Sequence, residues 1–145
     1  MKSMKTSFLL FLLLGALTTV LYSGCEPVDE NPTGDLRDPY IGEWGFIESF
    51  KNTEGNSYIV TITKDPLNSS QVIIGNLGNP GGQNITVIGI VTSSQVIVSK
   101  QAMSNGWSVE GAGQMSNVAK TSMTWTYSIW AGGNKDDYTA TATLQ

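Results

Sequence analysis

Few residues in this chain are suited to chemistry, and their types narrow it sharply. Cys25 is the only cysteine, and there is no histidine. Nucleophiles activated by imidazole, and the common zinc sites, therefore have no partners. Cys25 follows Ser23 and Gly24 at the end of a greasy run. Two small residues fit the narrow cleft of a signal peptidase, and a thiol directly after them can carry a diacylglycerol thioether. Acid–base work is left to carboxylates such as Glu48 and Glu110, whose alternation phases put them on unlike faces, so no enzyme is expected. Asn134, Asp136 and Asp137 lack the spacing of a calcium loop. The glycine-rich stretch 76–84 has no Gly-Lys-Ser/Thr and no following helix, so it reads as a mobile rim loop rather than a phosphate cradle. No metal or cofactor is expected. The candidates that remain are aromatic: Trp107, Trp125, Tyr127 and Tyr138 could stack an apolar ligand or a sugar, with Glu48 as the polar group that orients it, or they serve simply as core.

The segment ahead of Cys25 has the layout of a signal peptide. Lys2 and Lys5 precede a Leu- and Phe-rich run over 8–17, and Gly15, Thr18 and Thr19 interrupt it short of the roughly 20 apolar residues a spanning helix needs. Its end resembles the bacterial lipobox at Ser23, Gly24 and Cys25. That resemblance implies removal of residues 1–24 and lipidation of Cys25. Residues 25–38, with Pro27, Pro32 and five carboxylates, offer little to bury and read as a solvated tether. Acids close behind the cysteine (Glu26, Asp29, Glu30) resemble the export signal of surface lipoproteins in the Bacteroidota. The implied location is the outer membrane, on its cell-surface or its periplasmic face.

Loss of the leader removes two lysines and no acid, moving the formal charge from −4 to −6. A chain without a basic stripe is a poor partner for nucleic acid.

From residue 39 to 145 the sequence reads as one all-β domain. Apolar and polar residues alternate with period two, and β-branched types dominate. Trp44, Phe46, Glu48 and Phe50 share one face of the first strand; Tyr58, Val60 and Ile62 share one face of the second, and Lys64, in the same phase, is a candidate partner for Glu48. Trp107, Val109, Gly111 and Gly113 line the sixth strand, Met123, Trp125, Tyr127 and Ile129 the seventh, and Tyr138, Ala140, Ala142 and Leu144 the eighth. The bulky residues argue for a filled interior, while Gly111, Gly113, Ala140 and Ala142 argue for a hollow beside them. Ile73, Ile88, Ile90 and Ile97 make the middle strands apolar on both sides. Short connections, such as 51–56 and 131–135, require antiparallel neighbours. The expectation is an up-and-down meander of about eight strands closed into a barrel by the first and last, which removes its open edges; a two-sheet sandwich is the alternative.

Gly42-Glu43-Trp44, opening the first strand, resembles the Gly-x-Trp start of lipocalin-like (calycin-type) barrels, and residues 40–145 resemble small lipocalin-like lipoproteins of the Bacteroidota. The resemblance implies a tryptophan plugging one end of the barrel. The basic residue that such barrels stack on it from the last strand is missing, and Arg37 is the candidate to replace it. The leading functional expectation is a membrane-anchored envelope protein whose barrel binds a small, largely apolar ligand in a pocket lined by Trp107, Trp125, Tyr127 and Tyr138. The alternative is a non-enzymatic module with a solid barrel that docks a protein partner or inhibits a peptidase.

Overall fold

The computed structural model describes residues 34–51, 53–82 and 84–145. Cys25, the leader and most of the tether lie outside the described residues. The chain runs through β1 (Gly42–Phe50), β2 (Thr53–Lys64), β3 (Gln71–Gly75), β4 (Thr86–Val91), β5 (Gln95–Ala102), β6 (Ser108–Met115), β7 (Ser122–Ala131) and β8 (Asn134–Leu144), preceded by a 3₁₀ turn at Asp38–Tyr40. Each strand pairs antiparallel with the next, and β1 pairs with β8 from Trp44↔Leu144 to Phe50↔Tyr138, closing an eight-stranded up-and-down barrel. The expected meander and its closure are observed, and the sandwich is excluded.

Several strands run further than the sequence pattern suggested. β7 and β8 are joined by Gly132 and Gly133 alone, both at positive φ, which gives the two-residue turn whose twist matches that of the flanking strands. Polar residues near strand ends hide such extensions, because alternation fades where both faces meet water.

The alternation carries the core. Trp44, Phe46, Val60, Ile62, Val72, Ile74, Val96, Val109, Met123, Trp125 and Ala142 point inward and are fully buried. Thr124, Thr126, Thr139, Thr141 and Thr143 point outward as exposed partners on β7 and β8. An apolar inside and a hydroxyl-rich outside reverse the polarity of a barrel that crosses a bilayer with its strands. The outer isoleucines are uncovered among the described residues: Ile90 is 42 % exposed, and Ile73, Ile88 and Ile97 are half-buried beside it.

One end of the barrel is sealed by the segment before β1. Trp44 donates its indole N–H to the Tyr40 carbonyl (2.9 Å) and is completely buried. Arg37 sits at this end but is held elsewhere than on the Trp44 ring. Its Nη1 donates to the carbonyls of Asp65, Asn68 and Gln71, and its Nε and Nη2 grip the Asp35 carboxylate. The stretch 35–38, read as tether, is thus bound to the β2–β3 turn. Lys64 joins the same cluster by pairing with Asp35 (3.0 Å) and Asp38 (2.5 Å).

Between β4 and β5 only two residue pairs are in register. Gln101 bridges the remaining gap with its side chain: Oε1 accepts from the Ile88 N–H (2.9 Å), and Nε2 donates to the Ile88 carbonyl (2.8 Å).

Candidate functional site

The opposite end of the barrel gathers the carboxylate and most of the rings. Glu48 projects inward from β1 and is 9 % exposed. Its partner is not Lys64. The β1–β2 hairpin is antiparallel, so the residue sharing Glu48's phase at the far end of β2 arrives at the sealed end, with Asp35 and Asp38. Glu48 Oε2 instead accepts from the hydroxyls of Tyr58 (3.1 Å) and Tyr127, and those two hydroxyls lie 2.9 Å apart. Burial pushes both tyrosines well above their usual range, and the neighbouring Glu48 charge adds to this. Both therefore remain protonated donors at any ordinary pH.

Glu48 Oε1 accepts no hydrogen bond among the described residues, and it is not one of their solvent-excluded unpartnered atoms, which are Asn76 Oδ1 and Trp125 Nε1. Gly55 of β2 faces it: a Cβ there would lie 3.2 Å from the Glu48 carbonyl oxygen and 3.7 Å from Oε1. Rings gather at the same end as the carboxylate. Tyr127 stacks on Tyr138 at 5.4 Å between centroids and 14° between planes, Tyr138 meets Phe50 at 5.1 Å, and Tyr58 meets Phe46 at 5.7 Å. Lys51 lies outermost, with Nζ 4.7 Å from the Phe50 centroid.

The glycine-rich 76–85 connection, expected to be a mobile rim loop, is folded into this end as a cover. Leu77 is 1 % exposed and Pro80 is buried. Gly78, at φ +76, lies so close to Ile129 and Tyr127 that a Cβ would fall 2.4 Å from Ile129 Cδ1, and Asn105 Nδ2 ties the loop to β5–β6 through the Pro80 carbonyl (3.1 Å). Asn76 anchors its start by donating Nδ2 to the Ile59 carbonyl. The positive φ values at Asn76, Gly78, Asn79, Gly81 and Gly82 let a short segment turn inward. Glycine content looks the same for a loop that waves and one that packs, so the buried Leu77 and Pro80 were the available signal.

Of the five residues proposed from sequence to line a pocket, the structure brings Glu48, Tyr127 and Tyr138 together and adds Tyr58. Trp125 lies deeper, against Phe46 (5.8 Å), fully buried and with its indole N–H unpartnered. Trp107 precedes β6, half-buried at the same end as Glu48, with no hydrogen bond or ring contact to the Glu48 cluster among the described residues. The hollow expected beside Gly111 and Gly113 is filled. A Cβ on Gly111 would lie 2.5 Å from Tyr127 Cβ, and one on Gly113 would lie 2.2 Å from Trp125 Cε2. Gly113 makes room for the Trp125 ring across the strand, and Gly111 for the Cα and Cβ of Tyr127 and the Thr126 carbonyl.

Two surface hollows stand out among the described residues. One, about 680 Å³, is lined by outward-facing residues of β1, β6, β7 and β8, including Ser49, Thr126 and Thr139, and reaches Lys51, Tyr127 and Tyr138 of the Glu48 end. The other, about 670 Å³, lies at the sealed end beside Asp35, Tyr40 and Met115. Neither is a calyx.

The chain matches no protein-family model and no curated protein. It is similar in fold to solved β-barrels of low identity. A redesigned β-barrel aligns with a TM-score of 0.55 at 11% identity, covering 78% of this chain and 97% of that one. EF1p2_mFAP2b bound to DFHBI aligns at 0.54 and 12% identity, covering 77% and 98%.

Proposed function

We propose that this chain is a lipid-anchored envelope protein of the small lipocalin-like kind, held in the outer membrane through Cys25, whose barrel binds a small, largely apolar molecule at its Glu48 end. The role is binding, not catalysis. One observation carries the ligand reading: a carboxylate nine-tenths buried beside aromatic rings, with Oε1 accepting no hydrogen bond among the described residues. Buried polar groups are costly unless satisfied, and a site that keeps one open oxygen beside stacked rings suits a molecule with an apolar body and one polar contact. That a barrel of the same fold holds DFHBI supports the capacity of such a scaffold for small ligands. The filled lower core confines the site to the covered end.

Titration with a neutral apolar fluorescent probe tests this. Saturable binding to the wild type, lost in Tyr138→Ala and kept in Trp130→Ala on the outer face, supports the reading; absence of binding to the wild type overturns it. The anchor is tested separately, by mass spectrometry of the mature N-terminus and by release of Cys25→Ser from the membrane fraction.

The solid-barrel alternative draws on a different observation, the outer face of β3, β4 and β5 with Ile73, Ile88, Ile90 and Ile97. Under that reading Ile90→Ser with Ile97→Ser abolishes a cross-linked partner complex in the envelope and leaves probe binding untouched.

A further inference from the structure

We propose that the group recognised at the Glu48 end is a cation, an ammonium head on a short apolar stem. The inference rests on the small-ligand reading above and names the chemistry of that ligand.

Charge is the first argument. Glu48 Oε2 takes two tyrosine hydroxyls, which solvate a carboxylate without neutralising it, and no Lys or Arg nitrogen lies within 4.0 Å of Glu48 among the described residues. A carboxylate this buried ordinarily has a counter-charge. Lys64, which shares its phase on the neighbouring strand, is held at the other end of the barrel.

Access is the second argument. Gly55 opposes Oε1, and any larger residue would set its Cβ 3.7 Å from it. A glycine at this bulged point of the β1–β2 pairing brings no side chain against the oxygen.

The rings supply the third. Phe46 with Tyr58, and Tyr127 with Tyr138 and Phe50, cluster at the carboxylate's end of the barrel, and aromatic faces attract ammonium groups. The chain's own Lys51 already takes this position on the outermost ring, with Nζ 4.7 Å from the Phe50 centroid. An anionic head would meet Glu48 unfavourably, and a neutral one would leave its charge unpaired.

The test uses the whole chain and four probes that share one stem: hexylamine, hexyltrimethylammonium, hexanol and hexanoate. Binding is followed by NMR through the ring signals of Tyr58 and Tyr127 and the amide of Gly55. Both ammonium compounds are expected to bind, hexanol at least about tenfold more weakly, and hexanoate more weakly still. Glu48→Gln, which keeps an acceptor for the two tyrosines, brings the ammonium compounds down to hexanol's level and leaves hexanol unchanged. Lys51→Asn tightens the ammonium compounds by removing the internal competitor, and Asn tolerates the φ of 48° at that position. If hexanol binds as tightly as hexylamine, the cation is wrong while the small-ligand reading stands. Tightest binding by hexanoate, or failure of all four probes, overturns the cation as well, and in the latter case the neutral fluorescent probe decides whether the broader reading falls with it.

Discussion

Gly113→Ala distinguishes a filled barrel from a hollow one by the sign of its effect. In a strand with free space, replacing glycine by alanine stabilises by about 0.4–1 kcal/mol, because the unfolded chain loses freedom. Here the added Cβ would lie 2.2, 2.5 and 2.6 Å from Trp125 Cε2, Cζ2 and Cδ2. The indole cannot swing clear cheaply, since it is fully buried and packed on Phe46. Overpacking of that kind costs about 1–3 kcal/mol, so the net loss is expected near 0.5–2.5 kcal/mol after the backbone gain. Urea titration should move the midpoint down at constant slope, and the thermal midpoint should fall by roughly 4 °C per kcal/mol for a domain of this size. Trp125→Phe on the same background should recover part of the loss, giving a favourable coupling of at least about 0.5 kcal/mol in a double-mutant cycle. A neutral or stabilised Gly113→Ala would mean that space exists beside Trp125, and the filled-core argument would be wrong.

Tyr127→Phe should cost about 1.5–3 kcal/mol by withdrawing one of the two donors to the Glu48 carboxylate, and Glu48→Leu in the same chain should recover much of it, read from paired denaturation curves. Acid should weaken the sealed end: the Arg37 side chain and backbone N–H, with Lys64, hold the Asp35 carboxyl well below the usual range. That stability is complete above the ordinary aspartate pKa and fades as pH falls below about 4 toward the folded value, so stability curves between pH 5 and 2 should flatten in Asp35→Asn. Gln101→Ala should cost about 2 kcal/mol, roughly 1 for each bond to Ile88, with the Ile88 amide exchanging fastest in the barrel wall.

What the sequence revealed and what it hid divide along physical lines. Period-two alternation is local, and in β7 it identified the inward Met123, Trp125, Tyr127 and Ile129 without error. Closure followed from short connections, and Glu48 was recognisable as an inward carboxylate. The Glu48–Tyr58 contact was nearly in reach, because hairpin register sets 48 close to 58 and far from 64; phase alone does not say which end of a strand a residue occupies. The meaning of Gly111 and Gly113 was out of reach. A small residue reads equally as a void or as room for a neighbour, and only the β6–β7 register, which pairs Gly113 with Trp125 and Gly111 with Tyr127, decides between them. Arg37 was a candidate to stack on Trp44, and its actual role stayed hidden because three of its acceptors are backbone carbonyls, which no residue type announces.

The Asp35–Arg37 clip also sets how the barrel bears a pull. Tension arriving from the N-terminal side of residue 34 meets the clip before it meets β1, and Arg37 diverts part of the load through three carbonyls into the β2–β3 turn. What passes on enters β1 along its axis. Strand hydrogen bonds lie across that axis, and β1 is flanked by β2 through eight pairs and by β8 through seven. The ladders are loaded in shear, with all their bonds resisting together, instead of being unzipped one at a time from an end. A domain built this way resists force applied at its N-terminal entry.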